Sequence, residues 1–127
     1  MELNKKETLE VGGSHYDMPY PPIRLIEELD PPFAEGCILK YLVRYKQKNG
    51  LEDLKKALSY IDLILKYREN YIIRQYDIRD YLIDFFTANN ITDSNIRTAI
   101  SNICEMNNRD NLIFTKNCIN ELMKEYE

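Results

Sequence analysis

Residues 51–65 read Leu51-Glu52-Asp53-Leu54-Lys55-Lys56-Ala57-Leu58-Ser59-Tyr60-Ile61-Asp62-Leu63-Ile64-Leu65. Leu51, Leu54, Leu58, Ile61 and Leu65 step by 3, 4, 3 and 4 residues, which places them on one side of an α-helix. Ala57 and Ile64 widen that stripe. No proline or glycine interrupts the chain from residue 51 to its end, so the helix is expected to be long and able to run past Tyr71. Leucine-rich periodicity of this kind, with no sustained alternation anywhere in the chain, predicts an all-α protein.

Immediately before the stripe, Lys48-Asn49-Gly50 is a helix stop, because Asn and Gly accept the left-handed conformation that closes a helix. The stop ends a predicted helix over residues 33–47, with Ile38, Tyr41, Leu42 and Tyr45 as its apolar surface. A short helix is predicted over residues 23–29, entered through Pro22, stopped by Asp30-Pro31-Pro32 and buried through Ile23, Ile26 and Leu29. Residues 1–22, which carry Gly12-Gly13 and Pro19-Tyr20-Pro21-Pro22, read as a proline-rich arm. Beyond the stripe, Asp77 is a candidate N-cap, with Asp80 three residues on. It precedes Tyr81, Leu82, Phe85 and Phe86, and Asn89-Asn90 closes that helix. Asp93 or Ser94 caps a helix carrying Ile96, Ile100, Ile103 and Cys104. A last helix from about Thr115 buries Ile119, Leu122 and Met123. The expected organisation is a helical domain over residues 1–70, with one long central helix, and a C-terminal helical extension over 71–127.

Composition narrows the function. The chain has 127 residues and a net charge of -4, and neither half carries the positive excess of a non-specific nucleic-acid binder. Three separated cysteines and one histidine argue for reduced thiols and against a Cys/His zinc site. No leader-like apolar stretch follows Met1, and no apolar run approaches the roughly 20 residues of a membrane span. A cytoplasmic location is therefore expected. There is no GxxxxGK[ST] loop and no GxGxxG. Glu27-Glu28 and Glu52-Asp53 are neighbours in sequence and diverge on a helix, so they do not form a metal-binding pair. No metal and no cofactor is expected.

The stretch most able to carry chemistry is Lys40-Tyr41-Leu42-Val43-Arg44-Tyr45-Lys46-Gln47-Lys48, which has four basic residues and no acid. Lys40 and Arg44 lie four apart, as do Tyr41 and Tyr45. Lysine and arginine neutralise phosphate oxygens, and a tyrosine ring stacks on a base. The competing interpretation is a solvated basic face over a tyrosine-rich core. His15-Tyr16, in the arm, adds a group that titrates near neutrality and can bond phosphate. Lys55 and Lys56 lie one turn into the next helix, behind Glu52 and Asp53.

The ordered set His15-Tyr16, Pro22-Ile23 with Ile26-Glu27, Lys40-Tyr41-Leu42 with Arg44, Lys48 and Gly50, Glu52-Asp53-Leu54-Lys55-Lys56-Ala57 and Tyr60 resembles a small family common in bacteriophages. That family is catalogued as a domain of unknown function and is often labelled nucleotide kinase. The resemblance covers residues 14–67. It implies a nucleotide-phosphate ligand and the site residues His15, Tyr16, Lys40, Tyr41, Arg44, Asp53, Lys56 and Tyr60. Asp53 is expected to orient a basic neighbour. Three function classes stand open. One is a phage protein that sequesters a nucleotide without catalysis, such as a cyclic or ADP-ribose-derived signal of bacterial defence. The second is a nucleoside monophosphate kinase acting on deoxynucleotides. The third is a helical adaptor for a host protein. The first is favoured, because a kinase places two anionic substrates in line and neutralises shifting charge, usually through a glycine-rich loop and carboxylate-held magnesium. The stripe and the many tyrosines offer more apolar surface than one thin helical layer hides, so a homo-oligomer is expected.

Overall fold

The computed structural model describes residues 18–68, 77–105 and 108–127. These form six α-helices: α1 (Pro22–Leu29), α2 (Phe33–Arg44), α3 (Leu51–Tyr67), α4 (Arg79–Ala88), α5 (Ser94–Glu105) and α6 (Arg109–Met123). A single 3-10 turn, Lys124–Tyr126, follows α6, and there is no strand among the described residues. The all-α expectation holds.

The ends of the helices follow their local chemistry. Pro22 opens α1 at a position where the missing N–H costs nothing, and Asp30 closes it in the left-handed region at φ 48°. α2 stops at Arg44, three residues short of the expected end. The chain then turns through residues 45–50, where the N–H of Gly50 donates to the carbonyl of Tyr45 at 2.8 Å. Gly50 has φ +54°, and the ring of Tyr126 packs against its Cα. α3 ends at Tyr67 because Arg68 is extended, so it does not reach past Tyr71 as one helix. Asp93 caps α5: its Oδ1 accepts from the N–H groups of Asn95 (2.8 Å) and Ile96 (3.2 Å). The cap of α4 is Ile78 and not Asp77, since Ile78 packs against the core and sets the start one residue later. α6 begins at Arg109, six residues before Thr115. Asn108 caps it by accepting from the N–H of Asn111 at 2.8 Å.

α2 and α3 form an antiparallel hairpin. Their antiparallel sense follows from two ion pairs, Arg44 with Asp53 at the turn and Glu35 with Arg68 at the far end. α1 lies against α2, α5 packs on α2, and α6 packs on both α3 and α5. One continuous core results, from Leu25 and Leu29 through Ile38, Leu42, Leu54 and Ile61 to Phe85, Ile100 and Ile119. Because α3 is gripped by α2 on one side and α6 on the other, its buried centre is Leu54, Ala57, Ile61 and Ile64. Leu58 and Leu65, expected at the centre, are at the edge. On α1 the buried row is Pro22, Leu25 and Leu29, while Ile23 faces outward. Residues 18–20 are held on α4. The side chain of Asn89 accepts from the N–H of Tyr20 at 3.1 Å and donates to its carbonyl at 2.8 Å, and the Tyr20 ring stacks on Phe85. Cys37, Cys104 and Cys118 are free thiols, and burial pushes Cys104 far above the ordinary thiol range. No described helix is long and apolar enough to cross a membrane.

The turn between α2 and α3 gives a direct stability test. A Cβ on Gly50 would sit 3.0 Å from Cε1 of Tyr126, on a backbone that L side chains rarely adopt. Gly50→Ala should therefore lower stability by about 1–2 kcal/mol, read as an earlier urea midpoint with an unchanged slope.

Candidate functional site

Asp53 is the third residue of α3 and is fully buried. Burying a carboxylate costs several kcal/mol unless donors replace its water. Arg44 supplies two of them: Nε donates to Oδ2 and Nη2 to Oδ1, both at 3.2 Å. Asn49 supplies its backbone N–H at 3.4 Å and its side-chain amide at 3.5 Å. The positive end of α3 adds to the same effect. This two-pronged pair holds the guanidinium at the side of α2 from which Lys40 and Tyr41 also project.

The result is a cationic cluster around one ring. Lys40 Nζ lies 4.8 Å from the centroid of Tyr41, Arg44 Cζ 5.1 Å and Lys56 Nζ 5.6 Å. Each cation is attracted by the negative face of the aromatic ring. Tyr60, one turn beyond Lys56 on α3, stacks against Tyr41 with centroids 6.1 Å apart and planes at 23°. Phe33 meets Tyr60 edge-on at 6.3 Å. Interaction with the Cys37 thiol is the main reason the Tyr60 pKa lies above the ordinary phenol value. Burial and Tyr41 push in the same direction. Three cations against one carboxylate leave a net surplus of two positive charges, carried by Lys40 and Lys56. Among the described residues neither ammonium meets a carboxylate.

The six described candidates, Lys40, Tyr41, Arg44, Asp53, Lys56 and Tyr60, thus converge on one face of the α2–α3 hairpin. His15 and Tyr16 lie outside the described residues. The roles shift within the group. Arg44, expected to hold phosphate, commits two N–H groups to Asp53. Lys56 stands with Lys40 on the Tyr41 ring. Tyr41, expected to meet a base, carries the cations on its ring. Phe33 and Cys37 extend the cluster and were not singled out from sequence. Their spacing, four apart on α2 with Lys40 and Tyr41 following, was the available signal. Among the described residues no group of three His, Cys, Asp or Glu side chains is placed to hold a metal ion.

Residues 12–62 match a family described only as a protein of unknown function, DUF3310. The match covers under half of the chain and takes in all eight candidate positions. Its description names no activity, so the kinase expectation gains nothing from it. No curated protein and no solved structure gives a match.

The geometry separates support from contact. Asp53→Ala strands Arg44 and should cost about 2–4 kcal/mol of stability, because removing one partner of a buried pair leaves the other uncompensated. Lys40 is only partly buried, and Lys40→Ala should stay within about 0.5 kcal/mol of the parent. Urea denaturation of the two variants checks the contrast.

Proposed function

We propose that this chain binds a nucleotide phosphate on the Lys40–Tyr41–Lys56 cluster and holds it without acting on it. The observation that carries the reading is the convergence of two ammonium groups, neither compensated by a described carboxylate, on a ring beside a third cation already anchored by Asp53. Charges held together in this way repel one another, and a compact dianion relieves that repulsion. A phosphate group has the matching charge and the acceptor oxygens for several N–H donors. The neighbouring aromatic rings of Tyr60 and Phe33 favour a phosphate that carries a planar group over a bare inorganic ion. The overall negative charge speaks for a small ligand in one local basic site and against an extended polyanion.

Holding is favoured over chemistry by the state of Asp53. It is the one carboxylate in contact with the cluster among the described residues, and four hydrogen bonds from Arg44 and Asn49 occupy it. A buried carboxylate satisfied in this way is poorly placed to accept a proton from a substrate hydroxyl. A sequestering protein needs only affinity, which this cluster supplies.

Removing the two ammonium groups tests the site. Lys40→Ala and Lys56→Ala should each weaken binding of a nucleoside phosphate about tenfold, and together about a hundredfold, with helical content unchanged. Calorimetric titration reads the affinities, and unchanged affinity in the double variant contradicts the assignment. Incubation with ATP and each deoxynucleoside monophosphate, with and without magnesium, should return every nucleotide intact. Steady formation of diphosphate, lost in Lys40→Ala, would establish a kinase instead.

A further inference from the structure

Lys40 faces two environments. On one side is the ring of Tyr41. On the other is a hollow of about 290 Å³, lined by Ile26, Pro31, Phe33, Gly36, Cys37 and Lys40 itself. That volume lies near the lower end of small-molecule sites, roughly 300 Å³. The lining is almost wholly apolar, and Phe33 at its rim is 78% exposed. α1 and the Asp30-Pro31-Pro32 turn form one wall and the first turns of α2 the other.

Gly36 is the informative residue. It lies inside α2 in ordinary helical conformation, where glycine is about 1 kcal/mol worse than alanine. Packing does not demand it either. A Cβ there would meet only Ile26 Cγ2 and Pro31 Cγ, each at an unstrained 3.8 Å. What glycine does at this position is leave the floor of the hollow open.

We infer that this hollow is the base subsite of the same ligand: a planar heterocycle lies against Phe33 over Gly36 while its phosphate reaches Lys40 and Lys56. The inference rests on the phosphate-binding reading above and adds to it where the rest of the nucleotide goes and which residues sense it. Lys40, shared by the hollow and the cluster, sets the two parts side by side. An apolar slot with so few polar groups selects for a flat aromatic surface more than for one base over another.

The probes are adenosine monophosphate and ribose 5-phosphate, which share a phosphate and a sugar and differ by the base. Calorimetry on the full chain should show adenosine monophosphate binding at least tenfold tighter, in keeping with the strength of base–aromatic stacking. Gly36→Leu fills the floor, and Phe33→Ala removes an exposed ring with little consequence for the core. Each should erase the preference for adenosine monophosphate and leave ribose 5-phosphate binding unchanged. Equal affinity of the two probes for the parent chain overturns the subsite. A preference that survives in both folded variants overturns it too, with the phosphate cluster left standing. If neither probe binds the parent, the cluster reading fails and the subsite fails with it. Should Gly36→Leu not fold, Phe33→Ala alone decides.

Discussion

The carboxylate of Asp53 is out of water, and much of this molecule is arranged around that fact. A buried charge without partners would unfold a protein of this size. Its hydrogen-bond partners come from two places, the last residue of α2 and the turn that follows, and the positive end of α3 adds its dipole. Satisfying Asp53 therefore fixes how α2 leaves the helix, how the turn closes through Gly50, and at what register α3 returns. At the opposite end Arg68 donates to the buried Glu35 at 2.6 Å. The hairpin is thus pinned at both ends by carboxylates on its inner side. Between these pins, Lys40, Tyr41, Lys56 and Tyr60 are held side by side, each partly buried.

The C-terminal half contributes to this arrangement from behind. α5 and α6 cover the inner faces of α2 and α3, and Ile100, Ile103 and Ile119 share one core with Leu42, Leu54 and Ile61. Arg109 donates to the carbonyl of Leu65 at 2.8 Å, and Lys116 pairs with Asp62, so α6 also ties down the last turns of α3. The segment matching DUF3310 ends within α3. The helices beyond it supply the apolar surface on which the hairpin rests.

The helices were legible in the sequence because period and punctuation agreed. The 3-4 stripe gave α3, the Asp30-Pro31-Pro32 and Lys48-Asn49-Gly50 stops framed α2, and Asp93 capped α5. The errors share a cause. Leu58, Leu65 and Ile23 are apolar and correctly spaced, but how deeply each is buried depends on which helices pack around it, and a single stripe cannot report a second neighbour. The start of α6 was missed because the cap at Asn108 was not picked out from the sequence. In the site, Lys40, Tyr41 and Arg44 were visible as one turn of helix. The opposite half, Asp53, Lys56 and Tyr60, came from resemblance, since nothing in the spacing says which face of α3 meets α2. An acid on an apolar row was the unused clue. Asp53 heads the row that continues through Ala57, Ile61 and Ile64, and Glu35 heads the row through Ile38 and Leu42. Carboxylates in such positions announce a buried cation partner.

A second hollow, of about 70 Å³, lies between the end of α2 and the turn before α5, where Tyr45, Lys46, Asn89 and Asp93 meet. Its lining holds one lysine and one aspartate, whereas neither lysine beside Tyr41 meets a carboxylate among the described residues. The most direct measurement of the central claim is an amide chemical-shift titration of the labelled protein with a nucleoside phosphate. The account predicts saturable shifts concentrated on residues 33–44 and 53–60. Shifts centred on residues 89–96, or none at all, would contradict it.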